Sequence, residues 1–209
     1  MTARVDKVVT SGVFSLDGED FDVDNNIWLI GDDSEVLIVD AAHDAAPIVD
    51  AVDGRTVVGI VCTHGHNDHI NAVGDLRDAV MAPVYLHPGD RMLWDAVYAD
   101  VGPDRELADG DVLTVAGTRL QILGTPGHSP GSCCLYAPDL GVLFAGDTLF
   151  HGGPGATGRS YSDYDTIVES IASRLLSLPA DTVVHTGHGD DTTIGAEAPS
   201  LEQWRASGT

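Results

Sequence analysis

The sequence predicts an α+β fold of the layered kind, with two sheets inside and helices outside. Strand-like and helix-like segments are mixed in two similar halves, each β-rich and then helical. No fixed-period repeat, low-complexity tract or long polar linker divides the chain, so residues 1–209 read as a single domain. At 209 residues with 43% apolar side chains, the chain can bury a sizeable core.

The elements follow from local pattern. "NNIWLIG" (25–31) and "EVLIVDA" (35–41) are rich in β-branched residues and read as strands. Asp44 to Val52 reads as a helix, followed by the buried strand "TVVGIVC" (56–62). From His69 to about Val80 the spacing is helical, with Ile70, Val73, Leu76 and Val80 on one face. "APVYLH" is a short strand, and Pro88 to Ala99 a helix with proline near its start. After the turn "LADGD" come four strands: "VLTVAG", "TRLQILGTPG", "GSCCLYAP" and "GVLFAGD". A long helix from about Ser162 to Leu178, the strand "DTVVHTG" and a short helix from about Pro199 complete the order.

Composition excludes several partners. With 33 acidic against 10 basic residues the formal net charge is −23, which repels nucleic acid and anionic membrane surfaces. No stretch reaches the length of a membrane helix, and the first residues lack a secretory h-region, so a cytoplasmic protein is expected. Cys62, Cys133 and Cys134 form neither a disulfide framework nor a zinc-finger spacing; all lie in apolar runs and read as packing residues.

The chemistry lies at the ends of strands. "VCTHGHNDH" supplies His64, His66, Asp68 and His69; "TPGHSPGS" supplies His128, "FAGD" Asp147 and "TGHG" His188. Glycine in each turn lets the chain bend sharply and the ligand-type side chain project. His64 and His66, two apart on an extended segment, face one side and can grip one divalent ion. Asp68 and His69 open the next helix and project differently, which suggests a second metal nearby. Imidazole and carboxylate without thiolate suit zinc, iron or manganese. His43, His87, His151 and His185 read as ordinary histidines, His151 being closest in sequence to a ligand. Asp40, ending "VLIVD", is a candidate to orient a metal ligand or a plain turn residue. Trp28 and Trp94 belong to pocket walls or to the core.

These motifs resemble the metallo-β-lactamase superfamily. "THGHNDH" is similar to its H-x-H-x-D-H signature, and "TPGHSPGS", "FAGD" and "TGHG" follow in its order along essentially the whole chain. The resemblance implies the four-layer αβ/βα sandwich and a site for two divalent ions, zinc first, with iron or manganese compatible. It implies that His64, His66 and His128 bind one ion, that Asp68, His69 and His188 bind the other, and that Asp147 bridges both. Asp68 and Asp147 are thereby the catalytic candidates.

Asp147 stands where several true β-lactamases carry cysteine, so antibiotic hydrolysis is not the expected role. "TPGHSPGSCCLY", "LFAGDTLFHGG" and "GHGDDTTIG" look most like glyoxalase II-type thioester hydrolases, and with Gly158 and Arg159 they also resemble persulfide dioxygenases. The expected reaction is hydrolysis of a low-molecular-weight thioester by metal-bound hydroxide, with a lactonase or an iron-dependent persulfide dioxygenase as alternatives. A persulfide dioxygenase would leave some of these ligands idle. The loop after Asp147 has no lysine, and the longer glyoxalase II enzymes carry a basic C-terminal domain that is not seen here. The pattern resembles actinobacterial hydrolases of mycothiol metabolism, so an S-acyl-mycothiol is one expected substrate. Arg159 is a candidate anchor for a substrate carboxylate, or an ion-pair partner of Asp163 or another loop acid. Tyr161 and Tyr164 line the pocket or pack at the following helix. The expected partner is a small-molecule thioester; the oligomeric state stays open, a homodimer being compatible.

Overall fold

The computed structural model describes residues 3–207. Its first sheet runs in the order β1 (Arg4–Leu16), β2 (Glu19–Gly31), β3 (Glu35–Val39), β4 (Thr56–Val61), β5 (Val84–Leu86) and β6 (Arg105–Glu106). The first three strands are antiparallel; β3 to β6 are parallel. Parallel neighbours need crossovers, and α1 (Ala45–Val52), α2 (Asn67–Ile70), α3 (Val73–Val80) and α4 (Arg91–Val97) lie in them.

The second sheet starts with β7 (Val112–Val115), β8 (Thr118–Gly124), β9 (Cys133–Ala137) and β10 (Val142–Gly146). A small ribbon, β11 (Leu149–Phe150) with β12 (Gly153–Pro154), follows. α5 (Tyr164–Ser170) then leads to β13 (Val183–Thr186), parallel to β10, and to β14 (Thr192–Thr193) on the sheet edge. α6 (Ile194–Glu197) and α7 (Leu201–Ser207) end the described chain.

Period-two alternation sorts side chains into layers. Ile27 and Leu29 of β2 join the cluster under α1 and α3, whereas Trp28 and Ile30 face the other sheet. On β10, Phe144 points between the sheets and Leu143 points to the cluster holding Ile167 and Ile171. Even the adjacent cysteines divide, Cys133 inward and Cys134 outward. The result is helix, sheet, sheet, helix: the predicted αβ/βα sandwich. Trp28 and Trp94 are both buried in these cores.

Beyond short added elements such as β6, β11, β12 and β14, three larger differences from the sequence reading have a clear cause. The first sheet begins with β1, whose polar alternate positions hide it; its strand character comes from pairing along its whole length with β2. The helix expected from His69 to Val80 breaks, because the His69 carbonyl accepts from the Ala41 amide and the Ala72 amide donates to the Ala41 carbonyl. Those tertiary bonds replace the intrahelical ones between α2 and α3. The helix expected over 162–178 is α-helical only to Ser170, capped by the Asp163 carboxylate on the Thr166 amide, and continues to Leu175 as a wider π turn.

Strands β3, β4, β8, β10 and β13 all end at one edge of the sandwich, and the loops leaving them carry the candidate residues.

Candidate metal centre

After β4 the chain bends at Thr63 and His64 rather than staying extended, and His66, itself extended, leads into α2, so Asp68 and His69 project from its first turn. His128 comes from the loop after β8, Asp147 directly after β10, and His188 just past β13. Close approach is required here. A Cβ on Gly187 would lie 2.2 Å from Asp147 Oδ1, and one on Gly146, which has φ +47°, would lie 2.5 Å from Thr63 Oγ1.

The seven donors fall into overlapping groups whose ligand atoms lie within 4.8 Å of one another. These are His64, His66 and His128; Asp68, His69 and His188; and His64, His69 and Asp147. Asp147 stands between the first two, with Oδ1 3.3 Å from His69 Nε2 and Oδ2 3.6 Å from His128 Nε2 and 3.4 Å from His188 Nε2.

Hydrogen bonds behind the rings fix which nitrogen faces inward. His69 Nδ1 donates to Asp40 Oδ2 at 2.9 Å, His128 Nδ1 to the Ala156 carbonyl at 2.8 Å, and His188 Nδ1 to the Asp24 carbonyl at 2.7 Å. Thr63 gives its hydroxyl proton to Asp40 and therefore accepts from His64 Nδ1 at 3.1 Å. Asp40 thus supports both His64 and His69, from a backbone at φ 62° that a non-glycine residue rarely adopts.

This arrangement suits cations. His69 Nε2 and His188 Nε2 lie 3.2 Å apart, and neither neutral ring has a proton left for the other. The pair requires an extra proton or a metal ion. His64 Nε2, His66 Nε2, Asp68 Oδ1 and Asp147 Oδ1 are buried without a hydrogen-bond partner. Each would cost roughly 1–3 kcal/mol if left so.

Electrostatics divide the site. Burial and the neighbouring ring of His128 push His66 down to about 3; burial and the surrounding rings also hold His64 well below an ordinary imidazole. Both present neutral lone pairs. Burial also opposes charge on His69 and His188, but the Asp147 and Asp68 carboxylates outweigh it. His69 is held well above its usual value and His188 is raised to about 10. Burial likewise opposes the Asp147 carboxylate, yet these two rings keep it well below the usual range. Positive charge, as protons or as metal, is strongly favoured there.

Several supports have no sequence signature. Asp90, 0% exposed, accepts from the Gly65 amide, the Ser129 hydroxyl and the Gly131 amide at 2.6–2.8 Å. It ties the His64–His66 loop to the His128 loop. Asn25 donates to Asp68 Oδ2 at 3.1 Å and accepts from His43 Nε2 at 2.8 Å, while His43 Nδ1 faces the Asn71 amide nitrogen at 3.2 Å. The donors in that chain all point toward Asp68. His43, read as ordinary, is part of the support.

Other candidates lie as follows. Arg159 pairs with Glu19 at 2.8 Å and stacks on Phe21, its Cζ 4.6 Å from the ring centroid. It sits on the rim of the site, and the acid it meets belongs to the β1–β2 hairpin rather than to its own loop. Tyr161 is exposed, whereas Tyr164 packs in the outer core with its hydroxyl on the Trp204 carbonyl at 3.1 Å. His185 lies against Trp28 at 4.2 Å and bonds Asp191, His87 accepts from the Gly89 amide, and exposed His151 lies 3.7 Å from Glu197. All three cysteines are buried free thiols, and burial pushes their pKa values up.

The family model for the metallo-β-lactamase superfamily matches residues 21–188, from β2 through the last of the seven donors. The chain belongs to that superfamily. It is 31% identical over 191 residues to the hydroxyacylglutathione hydrolase GloC of Haemophilus influenzae, covering 84% of this chain and 90% of that protein. Among solved structures, the BLEG-1 B3 metallo-β-lactamase is 32% identical with a TM-score of 0.78, over 91% of this chain and 97% of that one. The di-iron-bound form of TTHA1623 is 34% identical with a TM-score of 0.75, over 84% and 93% of the two chains. Superfamily membership brings divalent-metal binding and hydrolase chemistry in general. Among the described residues no helix is long and apolar enough to cross a membrane.

Proposed function

We propose that this superfamily member is a binuclear metal hydrolase of low-molecular-weight thioesters, working in the cytoplasm. His64, His66 and His128 would hold one ion and Asp68, His69 and His188 the other, with the Asp147 carboxylate, which lies between the two groups, as a ligand available to both. The observation that carries the reading is the convergence of all seven donors with four of their atoms buried and unpartnered. When bound, the two ions supply Lewis acidity and an activated water near neutral pH. Imidazole and carboxylate donors suit zinc, iron and manganese alike; zinc is the first candidate from the resemblance.

The chain's own residues select the leaving group. A cavity of about 120 Å³ touches donors of both groups, and its other walls are Phe14, Val23 and Ala156. None of these three can protonate a departing amine. A thiolate, with a conjugate-acid pKa of about 8.5, leaves without that help. Thioesters therefore suit the cavity better than amides, β-lactams included. Relatedness to GloC supports the same class. Between Asp147 and Asp163 the only lysine or arginine is Arg159, and Glu19 already engages it, so a multiply anionic carrier finds little to hold it.

The test is thiol release from acyl-thioesters of glutathione and mycothiol, with a β-lactam and a lactone as controls. The enzyme is assayed separately with zinc, manganese and ferrous iron. Thiol release without oxygen uptake supports the reading; oxygen consumption on a persulfide with iron, and no thiol release, replaces it by the dioxygenase.

A further inference from the structure

We infer that His43 is a positioning residue for Asp68, acting through Asn25, and that it tunes the hold on the second ion without touching the first. This rests on the two-ion reading and adds to it residues outside the donor set. A carboxylate only accepts hydrogen bonds, so Asn25 must turn its Nδ2 to Asp68 Oδ2, 3.1 Å away, and its Oδ1 to His43. His43 Nε2, 2.8 Å from that oxygen, must then carry the ring proton. Burial lowers the His43 pKa, which keeps the ring neutral and leaves Nδ1 to accept from Asn71 Nδ2 at 3.2 Å. Asn71 Oδ1 in turn accepts from the His43 backbone amide at 2.6 Å. Asn71 ends α2, the helix whose first turn carries Asp68, with its own amide on the Asn67 carbonyl at 2.7 Å. The bonds close a ring, from α2 through His43 and Asn25 back to α2. Apart from the rings of His69 and His188, Asn25 is the polar contact of the Asp68 carboxylate among the described residues.

The fold makes room for this ring against local preference. His43 sits at φ 62°, in the left-handed region that a non-glycine residue seldom adopts. Against it on β1, Gly12 has no positive φ that would call for glycine, yet a Cβ there would lie 2.2 Å from His43 Nδ1. Glycine at 12 therefore serves space rather than backbone freedom. The strained backbone at 43 and the missing side chain at 12 have one explanation, the placing of the His43 ring on Asn25. The residue before it is pinned to the same strand, the Thr10 hydroxyl donating to the Ala42 carbonyl at 2.8 Å. The first ion's group is braced elsewhere, by Asp90 on the Gly65 amide, the Ser129 hydroxyl and the Gly131 amide. The two braces share no residue, so each ion can be weakened by itself.

The experiment is zinc binding to the full chain, measured by competition with a chromophoric chelator, beside thermal unfolding of every variant. Asparagine tolerates positive φ, but its short amide reaches only the Nδ1 position; glutamine can set an amide nitrogen where Nε2 stands. His43→Asn should weaken one of two zinc ions about tenfold and leave the other within about twofold, the scale for a group that orients a ligand. His43→Gln should restore most of that loss, and Gly12→Ala, which crowds the ring, should reproduce it. In an Asn25→Ala background, itself weakened for the same ion, His43→Asn should add nothing, because the link to Asp68 is already gone. Both ions weakened alike, no rescue by glutamine, or additive losses overturn the positioning role. Fewer than two ions on the unsubstituted protein sinks the two-ion reading instead. Exchange of the Asn25 side-chain amide protons in metal-free protein, followed by NMR, then decides on His43. Protection lost in His43→Asn and kept in His43→Gln supports it, and equal protection in both rejects it. None of these readouts needs turnover, so an inactive protein counts against the thioesterase reading alone.

Discussion

At the scale of single residues, the site depends on groups that touch no substrate. Asp90 receives three hydrogen bonds from the two loops that bring His64, His66 and His128 together. In Asp90→Asn an amide nitrogen must face one of those donors. Metal affinity of that group should fall about 10–100-fold, as for other residues supporting ligands. If the protein holds the two ions proposed, equilibrium dialysis should then show near one ion per chain in the variant against two without it. Retention of both would remove Asp90 from the site. Histidine titration gives the metal-free protein a defined pH profile. His188 is raised to about 10 and His69 in the same direction, so their stabilisation is full below the ordinary 6.5 and is lost as pH rises toward 10. His66 is lowered to about 3 and His64 likewise, so their neutral burial costs stability as pH falls below 6.5. Thermal unfolding of metal-free protein should peak near pH 6.5 and decline on both sides; a monotonic profile from pH 5 to 9 contradicts this.

At the scale of elements, legibility follows the range of the forces. Helix α1 was readable within a residue of its observed start, and the structure places Asp44, read as its first residue, as the cap, its carboxylate accepting from the Ala46 amide at 2.9 Å. Asp44→Ala should cost about 1 kcal/mol in urea unfolding and leave activity unchanged, since the cap lies outside the site. The turn "THGHNDH" was readable because four ligand-type residues within one short segment need no distant partner to declare themselves. The break between α2 and α3 was not readable, because its cause is a pair of hydrogen bonds to Ala41 at the end of β3. Asp90 in "HPGD" looks like any acid near a helix start, and His43 gives no local sign that it faces Asn25.

For the whole molecule, the net charge of −23 sets the approach of substrate. An anionic thioester meets a repulsive field that salt screens, with a Debye length of about 8 Å at 0.15 M. Its KM should fall as salt rises from 20 to about 200 mM, whereas that of an uncharged thioester stays flat. A KM that rises with salt for the anion would mean local positive charge wins. By itself the sequence determined the superfamily and the layered α+β order and pointed to seven candidate donors, because periodicity and ligand clusters are written in neighbouring residues. Only the tertiary structure decided that these side chains converge, with ligand atoms within 4.8 Å in overlapping groups, that Asp40 serves two rings, and that Phe14 stands over His66. Those relations join strand ends far apart in the chain, and packing alone sets their distances.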